Sequence, residues 1–139
     1  MNNRGATIAR AWQKAPADDE GYYWLADGAS SLTEIARIVN LHVASGVPLK
    51  KIFPVIVTHG PALFALMNNE AFKAKFKIDN PNIQLISDLS AMGAKFIACG
   101  QAMFFLDIKK EALLPVVKVS ITAQTALSNY SMKGYYKYW

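Results

Sequence analysis

Lys95-Phe96-Ile97-Ala98-Cys99-Gly100-Gln101 places three apolar residues directly before the single cysteine of the chain and a glycine directly after it. An apolar run without polar alternation is the pattern of a strand buried on both faces, as in a parallel sheet. Gly100 ends that strand abruptly, so Cys99 stands at its tip. The residues Gly100 to Leu106 are predicted to form a short helix. The thiol then lies at a helix N-terminus, where free N–H groups and the helix dipole favour an anion.

Similar strands flank this one. Gly21 to Ala26 predicts a first strand, aromatic and buried on both faces. Ser31 and Glu34 form a capping box for a helix to about Ser45, with Leu32, Ile35, Ile38, Val39 and His42 or Val43 as its apolar stripe. Ile52 to Thr58 is a second buried strand. Pro54 lacks a donor and is expected near its start or at an edge. His59-Gly60-Pro61 turns the chain into a helix, and Phe72 and Phe76 face the core further on. Asn80 is the expected cap of the next helix, with Pro81 at its first position. Beyond Cys99 the pattern gives a turn at Lys109 to Leu114, a strand at Val116 to Val119, a helix at Thr122 to Tyr130 and a last strand at Tyr135 to Tyr138. Residues 1–20 read as an N-terminal arm, with helical turns over Ala6 to Lys14. Residues 21–139 read as one domain. The strict alternation of strands and helices favours an α/β fold, with a mostly parallel sheet and helices on both faces.

Composition narrows the function. The chain of 139 residues carries a net charge of +5, from 15 basic and 10 acidic residues. The lysines are dispersed, so no nucleic-acid arm is expected. No apolar stretch is long enough to span a bilayer, and no membrane partner is expected. The start lacks the apolar core of a signal peptide, so the expected compartment is the cytoplasm, or the periplasm if a leader was trimmed. One cysteine and two histidines leave no expected structural zinc. Neither a dinucleotide fingerprint nor a phosphate loop nor a nucleophile elbow occurs, so no cofactor is expected.

Ligands in open α/β sheets collect at the carboxyl ends of the strands. The polar residues there are Asp27, His59 with Gly60, and Cys99 with Gly100 and Gln101. Cys99 reads either as a reactive thiol or as a small buried filler. Gly100 permits close approach of backbone to a bound anion. His59 suits proton transfer or a ligand bond, or else a bond to loop backbone. Asp27 reads as a turn residue, with ligand contact as the alternative. Gln101 either offers its amide to a substrate or caps the helix. The aromatics Tyr130, Tyr135, Tyr136, Tyr138 and Trp139 exceed the needs of one strand, and some are expected at a subunit contact.

In their order and spacing these landmarks resemble the DsrE/DsrF-like family. The likeness rests on Asp27-Gly28, Asn40-Leu41, Thr58-His59-Gly60-Pro61, Asn80-Pro81-Asn82, Phe96 to Gln101, Leu113-Leu114-Pro115 and Gly134-Tyr135. It covers about residues 22 to 138. The resemblance implies a three-layer α/β/α domain with a five-stranded, mostly parallel sheet. It also implies a homo-oligomer, with a trimer favoured, and a sulfur-relay role in which Cys99 carries a persulfide to or from a donor or acceptor protein. The competing reading of the residues is a non-catalytic small-ligand-binding or assembly module.

Overall fold

The computed structural model describes residues 12–14, 20–27 and 32–137. Its strands are β1 (Trp12–Lys14), β2 (Glu20–Asp27), β3 (Ile52–Thr58), β4 (Lys95–Cys99), β5 (Val117–Ser120) and β6 (Tyr136–Lys137). The helices are α1 (Leu32–Ala44), α2 (Asn69–Phe76), α3 (Ile83–Ala91), α4 (Gly100–Leu106) and α5 (Ala123–Met132), with 3₁₀ turns at Leu49–Lys51, Gly60–Leu66 and Lys110–Ala112.

The strands β2, β3, β4 and β5 lie side by side in chain order and run parallel. β3 occupies one edge of β2, so β6 and β1 share the other. β6 pairs parallel at Trp24 and Leu25, and β1 pairs antiparallel from Glu20 to Tyr22. The five parallel strands match the expected sheet. β1 replaces the helical turns expected over Ala6 to Lys14, in so far as those residues are described. The two-residue β6 leaves the start of β2 uncovered, and ladder hydrogen bonds there outweigh a marginal isolated helix.

Period-two alternation divides the core. Ala26, Ile56, Phe96 and Ala98 point to one face and pack under Ile35 of α1, Ile86 and Leu89 of α3 and Met103 of α4. Leu25, Val55, Val57, Ile97 and Cys99 point to the other, under Ala123 and Ala126 of α5. The result is a three-layer α/β/α sandwich in which α5 covers the second face, joined at its edge by Ala102 of α4.

Pro54 lies near the start of β3, as its third residue, and the ladder to β4 begins only at Val55. Asn80 does not cap α3, whose N-cap is Asn82. Asn80 is instead buried. Its amide donates to the carbonyls of Ala65 (2.9 Å) and Met67 (2.7 Å), and its Oδ1 accepts from the Asn82 N–H (2.9 Å). The loop before α3 is thereby tied to the 3₁₀ turn after β3. Tyr130 and Tyr135 pack edge to face at 5.0 Å, and Tyr135 meets Tyr23 at 5.3 Å, so these two rings line the second face of the core. Tyr136 packs beside Trp24, Val39 and Ile52. Ser31, Gly28, Tyr138 and Trp139 lie outside the described residues.

His42 takes the stripe position left open in α1. It is buried, its Nδ1 lies 2.8 Å from the Ile38 carbonyl, and Tyr22 and Trp24 meet its ring edge to face. It is a packing residue. Val43 is exposed.

Candidate functional site

The register of the sheet assembles the site. Thr58 pairs with Ala98, and Cys99 pairs with Ser120. His59 keeps extended backbone (φ −143°, ψ 167°) and so continues β3 by one residue, level with Cys99. Asp27 ends β2 opposite Val57, and Lys137 of β6 lies beside Leu25. By alternation, Lys137, Asp27, His59 and Cys99 all fall on the α5 face at the carboxyl edge of the sheet.

Cys99 is the N-cap of α4, and its Sγ accepts from the backbone N–H of Ala102 at 3.4 Å. It also accepts from the N–H of Ala123, the first residue of α5, at 3.2 Å. The sulfur thus sits where two helices begin. Both N–H groups belong to the set that a helix leaves unbonded at its start, so the sulfur satisfies donors that neither helix satisfies itself. The thiol is 4% exposed. Beside it opens a shallow pocket of about 300 Å³ lined by His59, Gly60, Cys99, Gln101, Phe105 and Gln124, with small residues Ala102 and Ala123 at its wall.

The loops have local causes. Gly60 has φ +61°, a left-handed conformation that glycine adopts without penalty, and it starts the 3₁₀ turn that Pro61 continues. Gly100 is required for a different reason. A Cβ there would lie 2.6 Å from the Ser120 carbonyl oxygen and 3.2 Å from that of Ile121. The space a side chain would need there is filled by the chain's own backbone. The Gln101 N–H donates to the Ile121 carbonyl at 3.1 Å, which fastens the start of α4 to the end of β5, and its side chain borders the pocket. Thr122 caps α5, its Oγ1 accepting from the Thr125 N–H at 3.0 Å, and Ser120 Oγ donates to the Thr122 carbonyl at 2.7 Å.

His59 does not spend its ring on loop backbone. Nε2 donates to Asp27 Oδ1 at 2.6 Å, and Lys137 Nζ lies 3.5 Å from Asp27 Oδ2. Asp27 is accordingly more than a turn residue, since its carboxylate joins three strands. Asp27 itself does not line the pocket beside Cys99. Among the described residues, no group of three or more His, Cys, Asp or Glu side chains is placed to hold a metal, and no helix is long and apolar enough to cross a membrane.

Sequence reasoning missed Ala123 and Lys137. The Thr122 start of a predicted helix was a signal for a second N-terminus at the same sheet edge. Nothing local to Lys137 marks it, because its role depends on β6 returning to the far side of β2.

A parallel α/β/α sandwich with a cysteine at a strand–helix junction defines the class. The chain belongs to the DsrE/DsrF-like family, whose model matches residues 27–137. A comparison with curated proteins finds no match. Among solved structures, the protein of unknown function MTH1491 from Methanobacterium thermoautotrophicum superposes with a TM-score of 0.59. The identity is 14%, over 82% of this chain and 93% of that one, and this likeness concerns the fold.

Proposed function

We propose that this protein carries sulfane sulfur as a persulfide on Cys99. Family membership supports a sulfur-relay role at the family level. The observation that carries the finer reading is the seat of Sγ between two helix starts, accepting two backbone N–H groups beside a pocket that His59 borders. In the proposed step the Cys99 thiol gives up its proton. The thiolate attacks the outer sulfur of a donor persulfide R–S–SH, an S–S bond forms to Cys99, and the donor S–S bond breaks. R–S⁻ leaves and takes a proton. The sum is Cys–SH plus R–S–SH giving Cys–S–SH plus R–SH, with no net oxidation. The sequence holds one cysteine, so the acceptor is another molecule. Incubation with a low-molecular-weight persulfide should add one sulfur mass to the wild type and none to Cys99→Ser. No addition to the wild type, or equal addition to the variant, refutes the proposal.

The burial of Cys99 supports the alternative, a binding or assembly module in which the thiol is a packing group. That reading expects Cys99→Ala to leave ligand binding and assembly intact and the wild type to resist persulfide loading.

The proposal extends to a homo-oligomer, with a trimer as the expected size. Phe104 and Phe105 on α4 are 84% and 75% exposed, and Ile121, whose carbonyl accepts from the Gln101 N–H at the start of α4, is 80% exposed. Large apolar side chains so exposed mark contact surfaces.

A further inference from the structure

We propose that Asp27 is a positioning residue that fixes the tautomer of the His59 ring, leaving Nδ1 as the proton acceptor of a histidine that borders the Cys99 pocket. This rests on the persulfide reading for its chemical use, though not for its geometry. An ionised carboxylate only accepts hydrogen bonds. The 2.6 Å contact between His59 Nε2 and Asp27 Oδ1 therefore requires the ring proton on Nε2. In the neutral imidazole, Nδ1 then carries the lone pair. His59 lines the pocket that Cys99 borders, and it stands level with Cys99 in the sheet register. In the proposed step the fixed tautomer gives the proton a defined destination across the shared pocket: S–H breaks, N–H forms at Nδ1, and the thiolate is left among the Ala102 and Ala123 N–H groups. When R–S⁻ leaves, the same nitrogen returns the proton to it, so the ring ends as it began.

The carboxylate is itself held. Lys137 Nζ lies 3.5 Å from Oδ2 while Oδ1 faces the ring, so the two oxygens are drawn in different directions. Lys137 comes from β6, the strand that closes the chain's return to β2. Asp27 is also the last residue of β2, and its backbone is fixed by pairing with Val57 of β3. Position of the carboxylate is thus set by three strands of the rigid sheet rather than by a loop.

The test uses the full chain with a selectively labelled histidine ring, and measures both the ring-nitrogen NMR shifts and the initial rate of sulfur loading from a low-molecular-weight persulfide. In the wild type, Nε2 of His59 should be protonated and Nδ1 bare. Asp27→Asn can either accept or donate at the same place, so the tautomer should become mixed and loading should slow at least about tenfold. Asp27→Glu should restore part of both. A wild type with the proton on Nδ1, or an Asp27→Asn variant with the wild-type tautomer and rate, overturns the inference. A wild type that takes up no sulfur refutes the carrier proposal, and the ring-nitrogen spectrum then decides the positioning role alone.

Discussion

Replacing Gly100 with alanine sets two effects of opposite sign against each other. Gly100 is the first residue of α4, and in an unconstrained helix alanine is favoured over glycine by about 0.5–1 kcal/mol. The added Cβ would, however, meet the Ser120 carbonyl oxygen at 2.6 Å, the Ile121 oxygen at 3.2 Å and Val119 Cγ1 at 3.4 Å. The two tightest contacts are backbone atoms, which cannot swing aside as a side-chain tip would. Overpacking of this kind costs typically about 1–3 kcal/mol. Contact inside 3 Å against backbone belongs at or above the top of that range, so a net loss of about 2 kcal/mol is expected. For a chain of 139 residues, about 1 kcal/mol moves the melting midpoint by roughly 3 °C, so Gly100→Ala should melt about 6 °C lower. The contact separates the start of α4 from the end of β5, across which Gln101 donates to Ile121 and Cys99 Sγ accepts from Ala123. The rate at which Cys99 reacts with a small alkylating reagent should change in the same variant. Thermal unfolding followed by circular dichroism gives the midpoint. Gly60→Ala is the comparison: no atom lies within 4 Å of its added Cβ, and only the left-handed backbone (φ +61°) is strained. An unchanged or raised midpoint in Gly100→Ala would show that the close approach at the strand–helix junction does not constrain the fold.

Asn80→Ala removes the partner of two carbonyls and of the Asn82 N–H in a buried loop, and should cost about 3 kcal/mol in urea unfolding; a loss under about 1 kcal/mol means that those groups find other partners. Burial, and then the charges of Tyr130 and Tyr23, raise the pKa of Tyr135 above its ordinary 10.0. The folded state therefore keeps a proton that the unfolded chain releases, and stability complete below about pH 10 falls as the pH rises through that value and beyond. Tyr135→Phe should flatten this alkaline decline in pH-dependent denaturant titrations; an identical slope argues against the burial mechanism. Phe104→Glu combined with Phe105→Glu should shift the proposed oligomer to monomer in light scattering after gel filtration, and an unchanged mass places the subunit contact elsewhere.

The alternation that reveals the fold is local. Ile52 to Val57 and Phe96 to Cys99 are uninterrupted apolar runs, and the strands Ile52–Thr58 and Lys95–Cys99 appear with the bounds the pattern gives. Gly93 and Gly100 punctuate them for reasons visible one residue at a time: Gly93 has φ +106°, and Gly100 faces backbone. Asn80 misleads for an equally physical reason. An asparagine before proline has the chemistry of a helix cap, but its amide is used instead on two carbonyls fifteen and thirteen residues earlier. Such distant partners leave no trace in local spacing.

What the sequence by itself determined is the five parallel strands and the delivery of Cys99 to a strand end, because backbone sterics and side-chain period act over a few residues. The tertiary structure decided who stands next to whom. It brought the start of α5 against the Cys99 sulfur, bound His59 to Asp27, and set Lys137 behind that carboxylate by returning β6 to the outer edge of β2. These neighbours are chosen by burial of both sheet faces and completion of strand ladders across the whole chain. The surroundings of Cys99 are therefore a property of the assembled sheet, while the position of Cys99 at its edge is a property of five consecutive residues.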